Sequence, residues 1–264
     1  MTQGLGLGVL ALALALTRRA ASSLVAALGL SPLPLAPDLA RAEGTWKGKP
    51  VTIKTRAFRG GPIVFARFAE IAGEGLEIGN ALCVPSPDYP LPIFGADLVA
   101  LGPDAAMLAA DLSPTLPPGP ERDAQLAPLA EAFEARATLP PGGALPAWCA
   151  DWFSPFSLYT RIDRTHLDAA AAAFEAFPRV YGDICRAPSG AAPRPGLAAE
   201  TARAIEGYAA AHRTDDKGLR MLAKMFGEGW ASRYLEAVLF PDLSTMGAMP
   251  GELSRMSAAP ESTQ

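Results

Sequence analysis

Two histidines and three cysteines in 264 residues leave little material for a metal centre. Cys83, Cys149 and Cys185 are odd in number, far apart and without a CxxC pair, so neither a disulfide framework nor a zinc site is indicated. With only His166 and His212 present, a Ser-His-Asp proposal is weak and no metal ligand set is expected. A basic excess is also missing: the net charge of −4 argues against a general nucleic-acid binder. The glycines at positions 4, 6 and 8 do not form GxGxxG, and no strand precedes them, so a dinucleotide loop is not expected. The apolar run Gly4–Leu16 has no positive residue before it, and Arg18 and Arg19 follow it, the reverse of an export signal. At that length it is also too short to span a bilayer. Cysteine usage fits a reducing compartment, the cytoplasm or alternatively a plastid stroma.

What is present is apolar. Half of the residues are hydrophobic and 19% are charged, enough for a sizeable core in a single domain over 1–264, with its centre at about 20–243. The organising stretch is Leu76–Leu101. At period two, Leu76, Ile78, Asn80, Leu82 and Val84 share one strand face. Four prolines between Pro85 and Pro92 force the reversal, and Ile93, Gly95, Asp97, Val99 and Leu101 share a face of the return strand. Each stripe carries one polar residue, Asn80 or Asp97. A carboxyl on an apolar face is costly to ionise unless paired, which makes it a candidate proton donor. A hydrogen-bonded structural role is the plainer reading of the same residue.

Around this pair, runs at 45–58, 62–72 and 106–112 read as strands, with Arg59-Gly60-Gly61 as a hairpin turn. The segment 31–37 reads as a proline-rich connector and 152–162 as an aromatic strand. Helices are expected at 17–29, 123–136, 167–184, 197–212 and 216–239. Closely spaced strands between groups of helices predict α+β: a three-layer α/β/α sandwich about a central antiparallel sheet.

Four stretches, in this order, resemble the ferredoxin-dependent bilin reductases. CVPSPDYPLPIFGADLVAL (83–101) is similar to the family's strand–turn–strand, AADLSPT (109–115) to the next strand, and WFSPFSLYTR (152–161) to its FSP-aromatic strand. DDKGLRMLAKMFGEGWASRYLEAVLFP (215–241) resembles the closing helix. The resemblance implies reduction of biliverdin IXα by single electrons from a 2Fe–2S ferredoxin, through radical intermediates, with no bound flavin or metal. It implies that Asp97 occupies the central aspartate position and Asp216, ten residues before Phe226, the second. Asn80 falls where phycocyanobilin-forming members carry histidine and 15,16-reducing members carry asparagine. The glutamate of the phycocyanobilin-forming branch is unmatched, since Phe68 falls there. These positions imply 15,16-dihydrobiliverdin or phycoerythrobilin as product, whereas the wording of LPIFGADLV and ADLSPT resembles the phycocyanobilin branch. Arg161 and Lys217 match basic positions facing the bilin propionates. A non-catalytic tetrapyrrole carrier remains the alternative of a different class. The expected assembly is a monomer off the membrane.

A last expectation comes from charge. Lys47, Lys49, Lys54, Arg56, Arg59 and Arg67 lie between Thr45 and Ala69 with no acidic residue among them. Such a run predicts a positive face that steers an acidic ferredoxin, or simply solvated positions on edge strands.

Overall fold

The computed structural model describes residues 8–187, 195–214 and 217–242. Its centre is one antiparallel sheet built from β1 (Ser31–Leu33), β2 (Arg41–Trp46), β3 (Lys49–Gly60), β4 (Ile63–Gly73), β5 (Leu76–Pro85), β6 (Ile93–Leu101), β7 (Ala106–Ser113) and β8 (Leu158–Ile162). From β3 to β8 the order in space is the order in sequence. This is the predicted meander, because short connections leave each strand nearest its predecessor. β1 and β2 share the outer side of β3.

Some boundaries differ from expectation, each for a local reason. The run 45–58 is two strands, because Lys47 (φ 51°) and Gly48 (φ 78°) turn the chain with the positive φ pair of a two-residue hairpin. The connector at 31–37 contributes β1, and α2 (Pro37–Ala40) follows at once. The helix expected at 123–136 is two, α3 (Pro120–Leu126) and α4 (Leu129–Ala135), since Pro128 cannot donate to the preceding turn. Only Leu158–Ile162 of the aromatic segment is strand.

One face of the sheet is covered by α1 (Val9–Leu28) and α5 (Leu167–Arg186). Ala170, Phe174, Phe177 and Tyr181 repeat every three to four positions, so α5 lays one apolar stripe on the strands. From Val9 on, the apolar run and the short helix expected at 17–29 are one continuous helix. By length and composition α1 is apolar enough to cross a membrane, and half of that stretch is buried in this protein. Val9, Leu12, Leu16 and Leu24 face the sheet.

The helix comes so close that a Cβ on Gly79 of β5 would lie 1.9 Å from Thr17 Oγ1 and 2.8 Å from the Ala13 carbonyl oxygen. Gly79→Ala must therefore push α1 outward. It is expected to lower stability by about 2 kcal/mol, the usual scale of overpacking. Chemical denaturation measures this, and an unchanged midpoint would show that the helix moves freely.

The other face carries α6 (Pro195–Thr214), α7 (Lys217–Phe226) and α8 (Glu228–Tyr234), followed by a π turn at Leu235–Leu239. The single helix expected at 216–239 breaks at Gly227, whose φ of 89° suits only glycine. Trp230 Nε1 donates to the Asp38 carbonyl at 2.9 Å and Arg233 pairs with the Asp38 carboxylate, tying α8 to α2. Sheet and helices thus form the three layers.

Candidate functional site

On the second face the helices do not close over the strands completely. They leave a cavity of about 460 Å³ between β4–β7 and the roof of α6, α7 and the π turn. Ile78, Leu82, Val99 and Met107 give the floor its apolar character, and Leu219, Leu222, Leu239 and Phe240 do so for the roof. Cys149, Phe153 and Tyr159 form a side wall. Such a volume takes a ligand the size of a large aromatic molecule.

Asn80 and Asp97 lie directly opposite one another on β5 and β6 and both line this cavity. Their pairing follows from the proline turn, which sets the register of the two strands. Asn80 Nδ2 donates to Asp97 Oδ1. Asp97 is exposed rather than buried, because the face that was expected to be core is an open cavity floor. A ligand filling the cavity would take that carboxyl out of water.

Arg67, counted in the sequence among outward basic residues, points the other way. It lies on β4 with only 2% of its surface exposed and lines the cavity. Its Nη1 donates to Asn80 Oδ1 and its Nε to the Leu239 carbonyl at 3.3 Å. Burial pulls its guanidinium below the ordinary value, while Tyr234 and Asp97 nearby pull the other way.

Three further lining residues escape a sequence reading. Asp111 is buried on β7 and accepts from the Ser154 backbone N–H at 2.9 Å, from Ser154 Oγ at 2.5 Å and from Ser113 Oγ at 2.8 Å. Burial pushes its carboxyl up to about 6, with these hydrogen bonds working against the shift. This cluster, together with Pro155, keeps Trp152–Ser157 from continuing β8. Tyr208 is buried with its hydroxyl over Gly95, where a Cβ would come within 2.8 Å of it. Burial, then the neighbouring Asp111 and Asp97, push that hydroxyl up. His212 stacks on Tyr208 at 4.1 Å, with the Phe240 ring at 5.1 Å.

The remaining predicted residues are less central. Arg161 is exposed and stands on the cavity side of β8, opposite Met107 at the rim. Lys217 opens α7, next to Gly218 and Leu219 of the lining. Asp216 lies outside the described residues. Lys47, Lys49, Lys54 and Arg56 are exposed, but the tertiary structure brings acids among them. Lys49 pairs with Glu74, Arg56 with Glu70 at 3.5 Å, and Lys54 sits opposite Glu70 in the β3–β4 register. Glu70 itself faces α1, where it also binds Arg18, on the side of the sheet away from the cavity.

The architecture and site define a class: an α/β/α sandwich with an apolar cavity over a sheet face that carries an accessible carboxyl group. The model of the ferredoxin-dependent bilin reductases matches residues 17–241, and the chain belongs to that family. It is 32% identical over 228 residues to phycoerythrobilin:ferredoxin oxidoreductase of Synechococcus sp. (strain RCC307), covering 81% of this chain and 85% of that protein. It is 33% identical over 224 residues to phycocyanobilin:ferredoxin oxidoreductase of Synechococcus sp. (strain CC9605), covering 80% and 85%. The fold is similar to that of tomato phytochromobilin synthase in complex with biliverdin, with a TM-score of 0.76 at 21% identity, covering 90% of this chain and 86% of that one.

Proposed function

We propose that this protein reduces biliverdin IXα to a phytobilin, taking single electrons from a 2Fe–2S ferredoxin and delivering protons from its own side chains. The observation that carries the reading is the Asn80–Asp97 pair, set side by side on the floor of an apolar cavity in a chain of this family. Asp97 protonates the bilin beside the pyrrole nitrogens. Asp216 supplies a second proton, and Arg161 and Lys217 receive the propionates.

The phycoerythrobilin:ferredoxin and phycocyanobilin:ferredoxin oxidoreductases named above are similar to this chain at 32% and 33% identity, so the distinction rests on site residues. Ala69, not an acid, stands opposite Asn80 on β4, and Glu70 faces away. This supports reduction at the 15,16 bridge, with 15,16-dihydrobiliverdin as first product and phycoerythrobilin as the four-electron product. The test is anaerobic turnover of the biliverdin complex with reduced ferredoxin, followed by chromatography of the bilin. Phycocyanobilin as product would overturn the regiochemistry. A complex whose absorption never moves after reductant is added would mark a carrier.

Ferredoxin docks in this reading on the exposed face of β2 and β3. The interleaved Glu43, Glu70 and Glu74 weaken its positive field, so steering is modest. Reversing Lys47, Lys49 and Lys54 to Glu is expected to slow reduction about threefold at limiting ferredoxin and to flatten its salt dependence. Biliverdin affinity is expected to stay constant. An unchanged rate and salt slope would move the docking face to Arg220 and Lys224 on α7.

A further inference from the structure

The side chains of Arg67, Asn80 and Asp97 form one hydrogen-bonded row across the cavity floor, each on its own strand. A guanidinium is donor-only. The only atom of the Asn80 amide that suits Arg67 is therefore its oxygen, which turns the amide nitrogen to Asp97. That nitrogen is a donor, so the Asp97 oxygen it meets, Oδ1, must accept. Among the described residues Oδ2 has no hydrogen bond, and Asp97 is exposed to the cavity. Without Arg67 an Asn amide is free to face Asp97 with either end. Its oxygen would then draw a proton on Asp97 inward, away from any ligand. The second contact of Arg67, from Nε to the last carbonyl of the π turn, holds the guanidinium in place from the roof.

We propose that Arg67 is a positioning residue, which sets the polarity of the Asn80–Asp97 pair and so confines the transferable proton to Asp97 Oδ2. The inference rests on the reading of Asp97 as proton donor. In the transfer the Oδ2–H bond breaks and an N–H or C–H bond forms on the bilin. The accompanying electron comes from reduced ferredoxin, and a solvent proton later restores the acid.

The chain contains a single asparagine, Asn80. Labelling with ¹⁵N-asparagine therefore gives one side-chain NH₂ group in the NMR spectrum of the whole protein. The expected spectrum has two well-separated proton resonances, with the one facing Asp97 shifted downfield and exchanging about tenfold more slowly than a free amide. Arg67→Lys keeps a donor-only group and is expected to retain this signature, with single-turnover reduction within about threefold of the unsubstituted rate. Arg67→Gln can present either end to Asn80. It is expected to lose the signature and to turn over about tenfold more slowly, or worse, with biliverdin affinity unchanged within about threefold. Equal losses in the Lys and Gln variants would overturn the proposal in favour of a purely structural arginine. So would a lost signature with unchanged turnover, or a Gln variant that keeps both. If the Gln variant does not fold, the unsubstituted protein still decides, because an unbonded Asn80 amide there contradicts the row. Failure of the Asp97 reading itself shows separately, as unsubstituted-level turnover in Asp97→Asn.

Discussion

Asparagine in place of Asp97 is expected to leave biliverdin binding intact and to slow its reduction on the order of 10²-fold or more, the usual scale for losing a general acid. The replacement is nearly isosteric. Its side-chain oxygen still accepts from Asn80 Nδ2, so the row that begins at Arg67 is preserved. What disappears is the transferable proton facing the cavity. Absorption titration with biliverdin measures the first part of the expectation and anaerobic single turnover the second. Binding lost together with turnover would make Asp97 a ligand anchor, and turnover at the unsubstituted rate would remove it from the chemistry altogether.

The second large effect concerns Asp111 and is one of stability. Its carboxyl is pushed up to about 6, above the ordinary value of 3.8 for an unfolded aspartate. The folded protein therefore binds this proton more readily than the unfolded chain. The group's favourable contribution is complete below about pH 4 and is lost as pH rises through about 6. The difference between these limits is about 3 kcal/mol at 1.4 kcal/mol per unit. Asp111→Asn is neutral at every pH and can still accept from the Ser154 N–H and Ser113. Subtracting its stability from that of the unsubstituted protein is expected to show a fall of this order between pH 4 and pH 7. A flat difference would mean that the carboxyl titrates normally. Asp111→Ala, by contrast, leaves two hydroxyls and one backbone N–H without their acceptor. It is expected to cost about 3 kcal/mol, or roughly 6–12 °C in Tm, and to weaken biliverdin binding by freeing the wall that carries Phe153. Thermal melts at pH 7 test this.

These two aspartates mark the limits of what a linear reading reaches. Asp97 was legible because strand periodicity and a proline turn are local. Together they put Asn80 and Asp97 on matching faces of adjacent strands, and the register pairs them. The motif FGEGW…VLFP was legible as family resemblance, and the meander as the consequence of short connections. Asp111 also lies in a recognisable strand, but its burial depends on Ser154, 43 residues later, folding back onto it. Nothing in the strand pattern announces that partner.

Arg67 shows the physical reason most clearly. In β4, Phe65, Arg67, Ala69 and Ile71 share one face, and Ala66, Phe68 and Glu70 the other. Alternation says which residues travel together, but in a sheet covered on both sides it does not say which face holds the cavity. The helices decide that. α1 and α5 pack tightly on one side, down to the contact at Gly79, while α6, α7 and the π turn leave a gap on the other. The same long-range packing set Glu70 and Glu74 among basic residues that stand alone in sequence. It also made the apolar stretch from Val9 on part of the core. The sequence alone determined the central strands β4–β7, their order and the paired polar residues, because those depend on near neighbours. Only the tertiary structure decided which face became the site, which charges are buried in it and which are cancelled, because those depend on residues brought together from far along the chain.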